Sequence, residues 1–143
     1  MTAIILDTNV ISELMRPEPE QAVMDWFSTR TSTVFYTTAI TRAEIMLGIG
    51  LLPDGKRRSA LAGAAAGMFD EDFAGRCLPF DEGCAAHYAA IVAARRRAGL
   101  PVTTEDAQIA AIALAHGYPL ATRNTRDFVS IVDLKLLDPW QGE

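Results

Sequence analysis

Cysteine is scarce in these 143 residues: only Cys77 and Cys84 occur, seven positions apart and with no His pair nearby. That spacing fits no zinc site, and two small buried hydrophobes in a reducing compartment are expected instead. No apolar run approaches the ~20 residues needed to span a bilayer. Nor does the chain open with a basic region, an apolar segment and a small-residue cleavage site. A cytoplasmic location away from any membrane is therefore expected. Internal repeats and low-complexity linkers are absent, so one domain over residues 1–143 is expected. Basic charge is also short, with 13 Lys and Arg against 18 Asp and Glu and a net charge of −5. This argues against a protein that coats nucleic acid through bulk positive charge. It does not exclude a nucleic-acid enzyme. Acids gathered around a divalent cation count as negative, while the bound metal reverses the local sign.

What is present is the composition of a soluble globular domain, half apolar and 22% charged. Ile4-Ile5-Leu6 reads as a strand buried on both faces, the habit of a parallel sheet, and runs straight into Asp7-Thr8-Asn9. A short helix over 9–15, with Thr8 or Asn9 as its cap, ends at Pro17 and Pro19. A second helix opens at Glu18 or Pro19 and presents Val23, Met24, Trp26 and Phe27. Thr33-Val34-Phe35-Tyr36-Thr37 has strand composition. Further helices are expected over 38–50, 56–73, 82–98 and 104–116, the third capped by Asp81 and stopped by Gly99. Short strands fall near 76–80, 118–122 and 134–137. Alternating strands and helices imply right-handed crossovers. The expected fold is α/β: a three-layer α/β/α sandwich around a mostly parallel sheet of about five strands.

Parallel strands send the residues after them to one edge of the sheet, where ligands bind in open α/β folds. Asp7, Glu44, Asp106 and Asn124 all reach that edge in this scheme. Carboxylates held together raise one another's pKa unless a cation neutralises them. Hard oxygen donors select Mg²⁺ or Mn²⁺, and such metals assist phosphodiester hydrolysis. Taken singly, Asp7 reads equally as a helix cap and Asp106 as a complement to a helix dipole. Glu44 stands among Ala43, Ile45, Met46 and Leu47 and needs a partner if it is buried.

Four blocks in order carry a resemblance to a known family. Leu6-Asp7-Thr8-Asn9-Val10-Ile11-Ser12-Glu13 resembles the opening of PIN-domain nucleases. Ile40-Thr41-Arg42-Ala43-Glu44-Ile45-Met46-Leu47-Gly48 is similar to their second acidic motif, and Thr104-Glu105-Asp106-Ala107-Gln108-Ile109-Ala110-Ala111 to the third. Ala121-Thr122-Arg123-Asn124-Thr125-Arg126-Asp127-Phe128 resembles the fourth. With Leu78-Pro79-Phe80-Asp81 and the tail Asp138-Pro139-Trp140, the resemblance is to VapC toxins of the FitB-like branch.

That resemblance implies a Mg²⁺- or Mn²⁺-dependent ribonuclease, the toxin of a type II toxin–antitoxin pair, with RNA as substrate and a VapB/FitA-type antitoxin as partner. It also implies homodimers and toxin–antitoxin hetero-oligomers. Asp7, Glu44 and Asp106 match the metal-ligating acids. The fourth position is an acid in many members and Asn124 here, an uncharged oxygen donor, with Asp127 three residues on as a possible substitute. Thr8 is placed to hydrogen-bond an acid or the scissile phosphate. Arg42 and Arg123, each beside a motif residue, suit phosphate contacts. The runs Lys56-Arg57-Arg58 and Arg95-Arg96-Arg97 read as solvated helix faces. A catalytically inactive PIN-like module that binds RNA or protein is the competing reading. A phosphotransferase of the haloacid-dehalogenase type would need a second Asp where Asn9 stands.

Overall fold

Ile4, Ile5 and Leu6 are at most 2% exposed, and their alternation divides the core. Ile5 packs with Ile91, Ile109, Ile112 and Leu120 on one face of the sheet. Ile4 and Leu6 pack with Val10, Ile11, Trp26 and Phe69 on the other. Successive side chains of a strand point to opposite faces, so this one strand nucleates both apolar layers. Each such residue contributes roughly 1.5–3 kcal/mol by its burial, which leaves the strand no freedom to slip. The structure is a computed structural model and describes residues 2–142.

Strand β1 (Thr2–Leu6) is the centre of a five-stranded sheet. The others are β2 (Thr33–Thr38), β3 (Cys77–Leu78), β4 (Leu120–Ala121) and β5 (Leu136–Leu137). Their order is β3-β2-β1-β4-β5 and every pairing is parallel. The chain winds outward from β1 to β2 and β3, then returns to lay β4 on the opposite side of β1. The crevice beyond β1 and β4 is therefore the topological switch point, where such sheets bind ligands. Helices α5 (Ala85–Arg97) and α6 (Thr104–His116) cover the Ile5 face. Helices α1 (Thr8–Leu14), α2 (Gln21–Ser28), α3 (Ala39–Gly50) and α4 (Lys56–Gly67) supply the other layer.

The expected α/β/α sandwich is the one observed, with local corrections. Asp7, not Thr8 or Asn9, caps α1, because its carboxylate accepts the Thr8 N–H at 2.8 Å. The helix expected over 56–73 closes with a π turn at Met68–Asp72, where Phe73 N–H reaches back to the Met68 carbonyl. That wider turn lets both Phe69 and Phe73 be buried. The helix expected from residue 82 starts as a 3₁₀ turn, Glu82–Cys84, under the Asp81 cap. The expected stops hold: Gly99 and Gly117 adopt φ of 68° and 69°, the left-handed region that favours glycine. Among the described residues no helix is long and apolar enough to cross a membrane.

Candidate active site

Asp7 leaves β1 in extended conformation and is only 4% exposed. Its backbone N–H continues the ladder to the Ala121 carbonyl at 2.9 Å. One carboxylate oxygen accepts the Thr8 N–H, and the other accepts the Thr122 hydroxyl at 2.8 Å. Thr122, fully buried after β4, accepts in turn from the Asn9 amide at 3.2 Å and the Asn124 N–H at 3.1 Å. The Asn9 side-chain oxygen, Oδ1, accepts the Arg123 backbone N–H at 3.2 Å. The first and fourth sequence blocks are thus knitted across the switch point. Burial pushes the Asp7 carboxyl up to about 6; the Thr122 and Thr8 bonds oppose this, and the charges of Asp106 and Glu44 add to it.

Glu44, half-buried on α3, finds the partner its setting demands. The Thr8 hydroxyl donates to it at 2.8 Å and lies 3.0 Å from the Thr41 hydroxyl. Thr8 has one proton to give, so the fully buried Thr41 donates to Thr8. The order Thr41, Thr8, Glu44 fixes the direction of this chain. Thr8 therefore contacts an acid, one of the two roles expected for it.

Asp106 lies in the first turn of α6, whose cap is Thr103: its hydroxyl accepts the Asp106 N–H at 3.1 Å. Burial raises the Asp106 carboxyl, the Thr103 bond lowers it, and Asp127, Glu44 and Glu105 raise it further. Asp7 therefore feels the charges of Asp106 and Glu44, and Asp106 feels that of Glu44. Among the described residues, however, no three Asp, Glu, His or Cys side chains stand close enough to enclose a bare ion. Thr122 and Thr8 hold Asp7 and Glu44 in place instead. The donors still fit a hard divalent cation, since Mg²⁺ keeps several waters and takes one or two carboxylates directly. Asn124 is exposed, and its side chain makes no hydrogen bond among those described. Asp127 follows in the 3₁₀ turn Thr125–Asp127 and acts more strongly on Asp106 than Glu44 does.

The arginines divide differently from the sequence expectation. Arg42 pairs with Asp70 at 3.1 Å and lies over the Phe69 ring. Arg123 lies over Trp140, whose backbone N–H is held by the Asp138 carboxylate, so the chain's tail supports the fourth block. Arg16, given no role from sequence, and Arg57, expected on a solvated helix face, line a cleft of about 790 Å³ with Thr8, Glu44, Ile45 and Leu61. Buried Glu13 orients Arg16 through a bidentate contact at 3.1 and 3.2 Å and also accepts the Glu20 N–H. Arg95 is a correction: it is 7% exposed, not solvated, because its head bonds to loop carbonyls instead of water. No periodicity in the sequence singles out Arg16, Arg95 or Thr122.

The family model for the PIN domain matches residues 4–133, spanning all four blocks. The chain belongs to the PIN-domain family. Among relatives, the plasmid stability protein StbB of Pseudomonas syringae pv. tomato is 45% identical over 139 residues, covering 97% of this chain and 99% of the relative. The VapC ribonuclease Y4jK of Sinorhizobium fredii is 40% identical, with 96% and 98% covered. The toxin FitB of Neisseria gonorrhoeae is 41% identical, again with 96% and 98% covered. A crystal structure of FitAcB from that organism superposes with a TM-score of 0.84 at 41% identity, over 96% of this chain and 98% of the other. In this PIN domain the acids come from β1, α3 and α6, and the fourth block approaches them through Thr122.

Proposed function

We propose that this PIN domain is a divalent-metal-dependent endoribonuclease, the toxin of a type II toxin–antitoxin pair. The observation that carries the reading is the meeting of acids at the switch point: Asp7 is buried and held by Thr122, Glu44 is held by Thr8, and the charges of Asp106 and Glu44 add to a shift that takes the Asp7 carboxyl to about 6. Mg²⁺ or Mn²⁺ is the cofactor assigned, with Asp7, Asp106 and Glu44 as its holders and Asn124 or Asp127 at the fourth corner. When bound, the cation supplies stabilisation of charge on the phosphate oxygens and a lowered pKa for water. The protein's share is positional. Thr122 and the Thr8 N–H fix both Asp7 oxygens, and Thr8 turns Glu44 toward the same crevice. Neutral Asn124 adds an oxygen donor without adding repulsion.

The cleft that runs from Thr8 and Glu44 past Arg16 and Arg57 suits an RNA strand at its polar end. Arg42 and Arg123 are weaker candidates, since one is ion-paired and the other lies against Trp140. The apolar end of the cleft, with Ile45 and Leu61, suits the inserted segment of a VapB/FitA-type antitoxin. Met46, Leu47 and Leu51 are 57–76% exposed at the end of α3 and give partner chains, a second copy among them, an apolar surface. The names of the relatives, a VapC ribonuclease and the toxin FitB, support the same assignment.

The test is cleavage of an RNA panel with Mn²⁺ supplied, by the wild type and by Asp7→Asn. Loss of cleavage by ~10³-fold or more in a folded variant is expected, because removal of one preorganised electrostatic element has that scale of effect. Cleavage by neither protein would instead favour the RNA- or partner-binding module.

A further inference from the structure

Three arginines follow one another at the end of α5, and only Arg95 is buried, at 7% exposure; Arg96 and Arg97 are exposed. Among the described residues no carboxylate pairs with it. Its guanidinium is spent on two loops. Nε donates to the Leu100 carbonyl at 3.2 Å, and one terminal nitrogen lies 3.4 Å from the Pro101 carbonyl. The same nitrogen donates to the Asp127 carbonyl at 2.9 Å, and the other terminal nitrogen to the Ser130 hydroxyl at 2.7 Å. The first loop leads within a few residues to Thr103, the cap that holds Asp106. The second follows directly from Asn124 and contains Asp127.

A buried cation without a counter-ion is costly, and these acceptors offset the cost only while both loops stay in place. Side-chain packing shares this job, since Phe128 and Ile131 are buried in the same apolar layer as Ile91. A cleft of about 400 Å³, lined by Ile91, Ala94, Arg95, Leu114, Ser130 and Ile131, opens beside the contact. The segment around residues 127–131 is therefore held to α5 by the guanidinium as well as by the burial of Phe128 and Ile131.

We propose that Arg95 is a positioning residue for the acidic site. It sets the separation between Asp106 and the turn carrying Asn124 and Asp127, and through it the cation affinity of that side of the pocket. The proposal rests on the metal-dependent reading above. A planar fork with five donors spans two loops at once; the lysine ammonium, at the end of a flexible stem, is a point charge and does not replace it.

The experiment is calorimetric titration of metal-free wild type, Arg95→Lys, Arg95→Met and Ser130→Ala with Mn²⁺, well below each melting temperature, with circular dichroism to confirm folding. Both Arg95 variants are expected to bind Mn²⁺ about tenfold more weakly, the range found when groups supporting ligands are lost. The lysine variant should not rescue. Ser130→Ala, which deletes one acceptor, should show a weakening of about threefold. A lowered melting temperature with Mn²⁺ affinity within twofold of wild type would mean a purely structural role and overturn the proposal. If neither Arg95 variant folds, unchanged affinity in Ser130→Ala overturns it and weakened affinity supports it. If wild type takes up no Mn²⁺, the metal-dependent reading fails and this inference with it. Uptake by wild type matched by Arg95→Lys sinks the inference alone.

Discussion

A carboxyl group that is 4% exposed, accepts two hydrogen bonds and feels two other carboxylates, as Asp7 does, resists ionisation in the folded protein. Its pKa rises from 3.8 to about 6, which corresponds to about 3 kcal/mol between protonation states. The sign follows from linkage. The folded state holds its proton more tightly than the unfolded chain, so the stabilising contribution is complete below about pH 4. It is lost as pH rises through about 6. In metal-free protein, denaturant titrations of wild type and Asp7→Asn from pH 4 to pH 8 should separate by about 3 kcal/mol, with the wild type losing ground. A constant difference across that range would mean that Asp7 is not the strained group. The same residue explains a limit of sequence reading. Asp7 was open to being a cap or a ligand; its geometry makes it the cap, and the same carboxylate feels the charges of Asp106 and Glu44, which leaves the proposed ligand role open to it as well.

Elements deliver the acids, and α6 does so most visibly. Thr103 accepts the Asp106 N–H at 3.1 Å, so one hydroxyl both starts the helix and fixes the backbone of a site residue. Thr103→Ala should cost about 1 kcal/mol by loss of the cap. It should also reduce cleavage by more than the unfolded fraction accounts for, which parallel denaturation and single-turnover assays at 25 °C would check. Some helix limits were legible because caps and stops are local chemistry: Asp81 and Gly99 act where their residue types suggest, whereas Thr38, expected inside its helix, caps it. The π turn at Met68–Asp72 was not legible, because the burial of Phe69 and Phe73 decides it and burial is tertiary. Arg95 failed as a surface residue for the same reason. A charge run reads as solvated until two distant loops bring carbonyls to it.

At the scale of the whole molecule, the sheet order β3-β2-β1-β4-β5 places the ends of β1 and β4 side by side at the switch point. That juxtaposition brings Thr122 onto Asp7 across 115 positions of sequence. The four blocks announced which segments meet, since parallel topology sends each to the same edge. They did not announce the hydroxyls that orient the acids: Thr122 and Thr41 fall inside an expected strand and helix, and Thr103 lies just ahead of the helix expected from residue 104. Part of the net negative charge belongs to the proposed site, where the charges of Asp106 and Glu44 add to the shift at Asp7. A divalent cation supplied there should therefore stabilise the fold as a whole.

Thermal melting at pH 7.5 under Mn²⁺ titration, for wild type, Asp7→Asn, Glu44→Gln and Asp106→Asn, tests this most directly. Wild type should gain stability with each increment of metal, by about 2.7 kcal/mol at a hundredfold excess over the dissociation constant, and each variant should lose most of that gain. Equal gains in all four proteins, or none in wild type, would contradict a cation site shared by Asp7, Glu44 and Asp106.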